Sequence, residues 1–218
     1  MSAFVEEPRS GGDSGGRTAR KRTAILDSAT EVFLRNGYRG TSMDEVAALA
    51  GVSKQTIYKH FGDKERLFSE IVVDAVDRAS DPVSEEVRRL SDTERVEEDL
   101  RRLARGLLAL VMKPTLLQLR RLVIAEADRF PELGRTFYER GPGRTIDALA
   151  SAFELLADRG ILELDDPALA AAHFNWLIMS IPLNHAMFFG DDQLPSAAEL
   201  DRYATTGVHV FLSAYGSD

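Results

Sequence analysis

The segment SKQTIYKH, residues 53–60, concentrates side chains that donate hydrogen bonds or carry positive charge. Amide and cationic ends match the edges of adenine and guanine, whereas hydroxyl, imidazole and ammonium groups match phosphate oxygens. Val52, Ile57 and Phe61 are the plainly apolar residues in and beside the segment, and a helix this short needs such anchors because it is unstable alone. The pattern predicts a short, anchored helix that recognises a polyanion. Its donors are Lys54, Gln55, Thr56, Tyr58, Lys59 and His60.

Helix start and stop signals bracket this segment and the one before it. Residues 42–45, SMDE, have the form of a capping box, with the serine bonding forward and the glutamate reaching back. Gly51 ends the helix that the box begins, and Ser53 caps the next one. Gly62-Asp63 ends that helix and caps a further one. Two short helices joined by a glycine-containing turn predict a helix-turn-helix. The predicted pair comprises residues 43–50 and 53–60.

The distribution of charge supports this interpretation. The whole chain has a net charge of −8, but residues 17–68 carry ten Lys or Arg against six Asp or Glu. Four of the five lysines lie in that window. A basic module within an acidic chain is typical of a nucleic-acid contact. A merely solvated helix has the same polar face; the glycine turn, the two caps and the local charge favour the binding interpretation.

Helical spacing divides the donors into two sets. Ile57 and Phe61 are one turn apart and can face inward together, so the remaining side chains project outward. Amide and ammonium ends on the outer face suit bases, and the others suit phosphates; Lys64 also lies at a helix N-terminus, where amide dipoles favour an anion. The candidates for base contacts are Lys54, Gln55 and Lys59, and those for phosphate contacts are Tyr58, His60 and Lys64.

The run TSMDEVA…AGVSKQTIYKHFGDKERLF, residues 41–68, closely resembles the DNA-binding domain of TetR-family transcriptional regulators. The resemblance covers about residues 18–68 and is carried by the Gly-Val-Ser, Tyr-x-His-Phe and Lys-Glu-x-Leu-Phe elements. It implies a C-terminal regulatory domain that dimerises and often binds a small ligand. By position, it implies base contacts for Lys54, Gln55, Thr56 and Lys59, and phosphate contacts for Thr41, Ser42, Tyr58, His60 and Lys64.

Four basic residues precede or begin the first predicted helix, which runs from about Thr18 to Asn36. They have the composition of an arm that reaches the DNA backbone or minor groove, and Arg20 and Lys21 are counted among the phosphate contacts. A solvated basic helix start explains them equally well. The four residues are Arg17, Arg20, Lys21 and Arg22.

The glycine-rich leader, residues 1–16, is expected to be disordered. It contains GDSGG at residues 12–16, which fits the loop of a serine nucleophile, and GGDSGGRT at residues 11–18, which nearly fits a phosphate-binding loop. Both motifs need a preceding strand to hold the turn, and the sequence predicts none. The leader therefore carries no predicted catalytic residue, and the chain is not predicted to be an enzyme.

Composition excludes several other classes of site. The chain has no cysteine, so disulfides, cysteine-based zinc sites and cysteine nucleophiles are excluded. The four histidines show no metal-ligand spacing, and neither a metal nor a cofactor is predicted. We see no signal peptide, and the apolar stretch 168–189 contains His, Asn and Pro, which favours a buried helix over a membrane span. A cytoplasmic protein is expected.

Apolar residues recur at helical spacing along the rest of the chain, and strand signals are almost absent. The predicted fold is all-α, with about nine helices in total: a three-helix helix-turn-helix domain over residues 17–68 and a larger helical domain over residues 69–218. A fourth helix, about Lys64 to Ala79, joins the two. Residues 119–142 are similar to AcrR- or AefR-like regulatory domains.

The last two long helices are the predicted dimer interface. The helix over 166–189 is apolar nearly all round, so it can face both its own core and a partner chain. The last helix carries a heptad-like apolar stripe in which Gly207 would allow a neighbouring helix to approach closely. An ordinary monomer core is the alternative; a recognition helix usually needs a two-fold mate. The predicted interface residues are Leu200, Ala204, Gly207, Val208, Phe211 and Tyr215.

A pocket for a small, largely apolar ligand is predicted among the middle helices, with His173 and Asn175 as polar handles. Each lining residue could equally be ordinary core, and the two handles could lie in the dimer interface instead. The predicted lining residues are Leu107, Leu110, Val111, Leu117, Phe137, Phe153, His173, Asn175, Trp176 and Met179.

Together these observations predict a homodimeric, sequence-specific DNA-binding regulator. It is expected to be a repressor that a small ligand releases from a palindromic double-stranded operator. A helical protein–protein adaptor that retains an idle helix-turn-helix remains the alternative.

Overall fold

The computed structural model describes residues 13–217, which form ten α-helices and no strand. The all-α prediction is confirmed, with ten helices against about nine expected. Short turns of other helical types also occur: 3₁₀ turns at Arg89–Asp92 and Asp191–Gln193, and a π-helical segment at Glu139–Gly143. The helices are α1 (Asp13–Gly40), α2 (Met43–Leu49), α3 (Lys54–Phe61), α4 (Lys64–Arg88), α5 (Val96–Val111), α6 (Pro114–Ala125), α7 (Pro131–Tyr138), α8 (Arg144–Asp158), α9 (Pro167–Phe189) and α10 (Ala197–Tyr215).

The chain divides into two compact units, one ending at Ile71 and the other beginning at Val72. The division falls three residues after the predicted boundary at residue 68. None of the helices in residues 13–217 is both long enough and apolar enough to cross a membrane.

The first unit has a core built from the predicted apolar stripes. Ile25, Ala29, Val32 and Phe33 of α1 are fully buried. The rings of Phe33 and Phe68 stack with their centroids 5.1 Å apart, which joins α1 to the start of α4. Gly37 has φ +69° and interrupts the helical path of α1, as predicted for a helix stop.

Helix α1 begins earlier than predicted. Residues 13–16 lie in its first turn, ahead of the expected start at Thr18, so the disordered leader is wrong for those four residues. The rest of the leader, residues 1–12, lies outside the described residues. Three glycines and a serine in residues 12–16 favoured a loop, but helix formation is cooperative and the strong helix that follows extends backward.

Helix α4 is longer than predicted and continues past Pro82 to Arg88. Proline inside a helix costs about 3 kcal/mol because it removes a backbone hydrogen bond and crowds the preceding turn. Val83 and Val87 lie beyond the proline and are buried in the hydrophobic core of the second unit. Burial of these side chains offsets the cost, so the helix does not end at Ala79.

The second unit is centred on α5, α8, α9 and α10. Three phenylalanines form its middle: the ring centroids of Phe153 and Phe174 are 5.7 Å apart, and those of Phe174 and Phe211 are 5.2 Å apart, both edge to face. The α10 helix begins with a complete capping box, in which Ser196 and Glu199 exchange side-chain and backbone hydrogen bonds.

The predicted dimer residues of α10 lie in this core. Ala204, Gly207, Val208 and Phe211 are buried against the chain's own helices. Gly207 does permit a close helix approach, but the neighbour is α9 of the same chain. The prediction of these four residues as partner contacts is therefore wrong. The two remaining predicted residues, Leu200 and Tyr215, are partly buried and pack against the same core.

Substitution of Gly207 by alanine is expected to destabilise the second unit by about 1–3 kcal/mol, because overpacking a tight contact forces neighbouring atoms to move. A Cβ at Gly207 would lie 2.6 Å from the Cγ2 atom of Ile178, a branched side chain with little freedom. Urea unfolding followed by circular dichroism measures the change. Gly106→Ala is the matched control: a Cβ there meets no atom within 4 Å, so it should stabilise α5 by about 0.5–1 kcal/mol. Equal effects of the two substitutions would contradict the close contact.

Candidate DNA-binding surface and ligand cavity

The turn between α2 and α3 is set by backbone hydrogen bonds and one glycine. Val52 N donates to Ala47 O at 3.0 Å, and Gly51 has φ +64°, a conformation that glycine adopts without strain. Ser53 Oγ then accepts from Thr56 N at 3.2 Å and caps α3. At the other end, Gly62 has φ +81°, and Asp63 Oδ1 accepts from Arg66 N at 2.7 Å. These features confirm the predicted helix-turn-helix and the predicted caps at Ser53 and Asp63.

One predicted cap is only half formed. Ser42 Oγ accepts from Asp44 N at 3.2 Å at the start of α2. The carboxylate of Glu45 does not return to Ser42; it accepts from Asn36 Nδ2 at 2.8 Å and lies 3.8 Å from Arg35. The full capping box expected at residues 42–45 is therefore wrong, because α1 provides a stronger pair of donors for Glu45.

Helix α3 is held by two fully or nearly buried side chains, Ile57 and Phe61, as predicted. Its outward face carries Gln55 and Lys59, both exposed. Neither side chain has a hydrogen-bond or ion-pair partner within residues 13–217. An amide and an ammonium group that are ordered by a rigid helix but bound to nothing are suited to contact base edges.

Lys54 is exposed on the same helix but has a partner. Its Nζ atom lies 2.9 Å from Asp44 Oδ2 of α2. The hydrogen bond to Asp44 raises the pKa of Lys54, so the side chain stays charged. An exposed ion pair of this kind is weak, and a base contact by Lys54 requires only that this pair open.

The other predicted contacts on α3 differ in exposure. Tyr58 is 42% exposed, and His60 is half-buried. Thr56 is half-buried, and its hydroxyl shares a 2.8 Å hydrogen bond with Ser53 Oγ. Tyr58 can reach a phosphate oxygen directly, whereas the hydroxyl of Thr56 is already used in capping the helix.

Two residues predicted to contact phosphates also hold the end of α1 through hydrogen bonds. Thr41 is 4% exposed, and its hydroxyl donates to Gly37 O at 2.7 Å. Lys64 Nζ donates to Thr41 O at 2.6 Å and to Arg39 O at 3.3 Å, and it lies 4.9 Å from the centre of the Tyr38 ring. Both side chains therefore have partners at the end of α1, and their phosphate contacts stay predictions. Ser42 remains exposed at its cap.

Lys64→Ala is expected to lower the free energy of unfolding by about 1–3 kcal/mol in the absence of DNA. The substitution leaves two backbone carbonyls without a charged donor and removes the cation from Tyr38. Lys59→Ala is the matched control and should leave stability unchanged, because Lys59 is exposed. Chemical unfolding of both variants measures the change: an unchanged stability of Lys64→Ala would show that its hydrogen bonds to the end of α1 do not stabilise the fold.

The basic start of α1 is helical. Arg20 and Lys21 are exposed, and Arg20 Nε donates to Gly16 O at 3.2 Å within the helix. Arg22 pairs with Glu70 and lies over the Phe61 ring. The side chain of Arg17 lies outside the described residues. Residues 18–22 are helical, in agreement with a first helix that begins at about Thr18, and phosphate contacts by Arg20 and Lys21 from this helix stay predictions.

A separate feature, the α4–α9 cavity, lies within the second unit. Its volume is about 80 Å³, and residues from α4, α5, α6, α7, α8, α9 and the π-helical segment line it. Seven of the ten predicted residues are among them: Leu107, Leu110, Val111, Phe137, Asn175, Trp176 and Met179.

Three predicted lining residues lie elsewhere. Phe153 belongs to the aromatic core, and Leu117 is buried beside Met112 and Leu183. His173 is exposed, and its Nδ1 atom lies 2.6 Å from the hydroxyl of Tyr215. His173 and Asn175 are two residues apart on α9, so they point to different sides of the helix.

Sequence reasoning missed the charged residue of the cavity, Arg120 of α6. Its guanidinium carbon lies 5.4 Å from the centre of the Phe137 ring. The available signal was its spacing: Leu116, Arg120 and Val123 recur at intervals of four and three residues, so a charge interrupts an apolar helix face. Within residues 13–217, no cluster of three or more His, Asp or Glu residues is arranged to hold a metal ion.

Helix α9 also presents an apolar surface to solvent. Four residues on one face of the helix form what we call the α9 stripe: Leu169, Leu177, Ile181 and Phe188, which are 51%, 40%, 60% and 81% exposed. The opposite face of α9 is buried in the core of its own unit. Val210 of α10 is a further exposed apolar side chain, at 45%. Exposed apolar stripes of this kind often mark interaction surfaces.

An all-α chain with a basic helix-turn-helix, free donors on its second helix and a separate helical unit with a cavity is a helix-turn-helix regulator. A family model described as bacterial regulatory proteins, tetR family, matches residues 25–71. A second, described as the C-terminal domain of AefR-like transcriptional repressors, matches residues 98–217. The chain belongs to the TetR family.

Solved structures agree over nearly the whole chain. A crystal structure of a putative TetR-family regulator from Mesorhizobium loti is 46% identical and has a TM-score of 0.87, covering 92% of this chain and 98% of that one. The flavonoid-responsive regulator FrrA is 33% identical, with a TM-score of 0.69 and coverage of 91% and 98%. Among curated proteins, the transcriptional activator FasR from Mycolicibacterium smegmatis is 36% identical over 89 residues. That match spans 40% of this chain and 41% of FasR, less than half of the relative.

Proposed function

We propose that the protein is a homodimeric repressor that binds a palindromic operator in double-stranded DNA and is released by a small ligand bound in the α4–α9 cavity. The observation that carries the proposal is the outer face of α3, where Gln55 and Lys59 are exposed and have no partner within residues 13–217. A recognition helix needs such free donors. The similarity to AefR-like repressors supports repression, although FasR is named as an activator.

The α9 stripe supports the homodimer. An exposed face of four large apolar residues on α9, the third-longest described helix, is suited to pack against the same face of a second copy across a two-fold axis. Helix-turn-helix dimers generally bind two half-sites about 34–36 Å apart, one turn of DNA, which is why a palindromic operator is expected.

The lining of the α4–α9 cavity supports the proposal that the protein binds a small ligand. It is mostly apolar with a few polar groups, which is the usual character of a small-molecule site. The flavonoid response in the name of FrrA supports an apolar, aromatic ligand for this chain as well. Helix α4 contributes residues to both units, and we propose that it transmits the change. The place of action is the cytoplasm.

DNA from the region upstream of the protein's own gene provides the test. In a mobility-shift assay the protein should bind a fragment that contains an inverted repeat, and affinity should fall steeply with salt because phosphate contacts release counterions. Nuclease footprinting should then show protection of both half-sites. In vitro transcription from the protected promoter should fall on addition of protein. Absence of binding at low salt, or a rise in transcription, would contradict the proposal.

A further inference from the structure

Two polar side chains interrupt the apolar wall of the α4–α9 cavity without any partner of their own. Arg120 and Asn175 line the cavity, and neither side chain makes a hydrogen bond or ion pair within residues 13–217. Asn175 is only 4% exposed. Ser80 and Thr145 also line the cavity, but their hydroxyls donate to backbone carbonyls at 3.1 and 3.3 Å. Arg120 is partly buried, and the unpaired polar groups of both side chains are therefore available to a ligand that enters the cavity.

Arg121, the next residue of α6, has the partners that Arg120 lacks. Arg121 pairs with Asp191 and donates to Ala186 O at 2.9 Å, so it ties α6 to the end of α9. Arg120 has the ring of Phe137 beside its guanidinium and no ion-pair partner within residues 13–217. The cation–π contact fixes the orientation of the guanidinium but leaves its N–H donors unused.

The surroundings of Arg120 make the unpaired charge costly. Burial lowers the pKa of Arg120, because the charged form loses hydration and gains no anion in return. Arginine remains charged at neutral pH. A cation held in an apolar wall without a counterion is therefore stabilised by any anion that enters the cavity.

We infer that the α4–α9 cavity binds an aromatic organic acid, with its anionic group on Arg120 and a second polar group on Asn175. The inference rests on the proposed ligand response. Phe137 and Trp176 provide aromatic surface, and the remaining lining is mostly aliphatic. A single negative charge matches the single guanidinium, whereas a phosphate dianion would bring a second charge that no described lining residue neutralises.

The chain contains a reporter for this site, because its only tryptophan, Trp176, lines the cavity. Phenylacetate and hydrocinnamate are the acid probes, and phenylacetamide and hydrocinnamamide are neutral controls of nearly the same shape. Binding is followed by the fluorescence of Trp176 and by titration calorimetry, in the absence of DNA. The acids should bind at least about tenfold more tightly than the amides, since a charge-assisted hydrogen bond exceeds a neutral one.

Three variants assign the preference to Arg120. Arg120→Gln should remove the difference between acid and amide, and Arg120→Lys should keep part of it. Arg89→Gln removes an exposed arginine of the same unit and should bind both probes as the unchanged protein does. The comparison of acid with amide on the unchanged protein needs no variant, so a folding defect in one variant does not weaken the test.

Acids that bind no more tightly than their amides, or not at all, would overturn the inference. Retention of the full difference in Arg120→Gln would also overturn it. The mobility-shift assay of the ligand-free protein is independent of these measurements. If the protein binds DNA but does not prefer acids, the proposed regulatory function stands and the proposed acid ligand is wrong. If it prefers acids but does not bind DNA, the acid site stands and the proposed regulatory function is wrong.

Discussion

The double substitution Leu177→Asp/Ile181→Asp is expected to convert the protein to a monomer and to weaken operator binding by about 100-fold. Both residues lie on the α9 stripe, and both are exposed, so aspartate there leaves the fold of the single chain intact. In a dimer the two carboxylates of each copy would be buried without partners, which costs several kcal/mol. A monomer also loses the simultaneous binding of two half-sites.

Light scattering after size-exclusion chromatography measures the mass, and a mobility-shift assay measures the affinity. Ile124→Asp is the matched control, because Ile124 of α6 is 62% exposed and Ile181 is 60% exposed. The control should remain dimeric with full affinity. If the double variant stays dimeric, the partner copy packs on another surface and the proposed interface is wrong.

The double substitution Gln55→Ala/Lys59→Ala is expected to weaken binding to the operator by about 100-fold. Each good side-chain contact with a base contributes about 1–3 kcal/mol of discrimination, and two such contacts add when they are independent. Binding to unrelated DNA should change much less, because phosphate contacts supply most of the non-specific affinity. The free energy of unfolding should be unchanged, since both side chains are exposed and unpaired.

Lys113→Ala is the control for charge, because Lys113 is the one lysine outside residues 17–68 and is exposed at the start of α6. It changes the net charge by the same amount as Lys59→Ala and should leave operator affinity unchanged. An equal loss in Lys113→Ala would show that the effect reflects overall charge. If the double variant binds the operator with full affinity, α3 is not the recognition helix.

The helix-turn-helix could be predicted because its signals are local. Gly51 and Gly62 adopt positive φ where the sequence places the turns, and Ser53 caps the helix that follows it. Residues three or four positions apart then define the buried side, so Ile57 and Phe61 could be assigned to the core. The role of Lys64 could not, because its acceptors belong to residues 23 and 25 positions away.

The second unit was less predictable because its decisive contacts are remote in sequence. Helix α9 is apolar on both sides, so periodicity does not say which side meets the core and which meets a partner. The stripe of α10 was clear, but only packing shows that Gly207 approaches Ile178 and that Phe211 contacts Phe174, both on α9 of the same chain. Arg120 was not among the predicted lining residues, because the side chains that surround it in the cavity come from other helices of the second unit.

The small size of the α4–α9 cavity bears on how much ligand a cell must accumulate before the switch responds. Pockets for small molecules are typically ~300–1,000 Å³, whereas this cavity is about 80 Å³, so the proposed ligand enters only molecules in which the helices have moved apart. The observed dissociation constant is then the intrinsic one divided by the fraction of open molecules. Substitutions that change the stability of the closed form can therefore change the ligand concentration at which the protein responds. Arg120 and the identity of the ligand would stay the same.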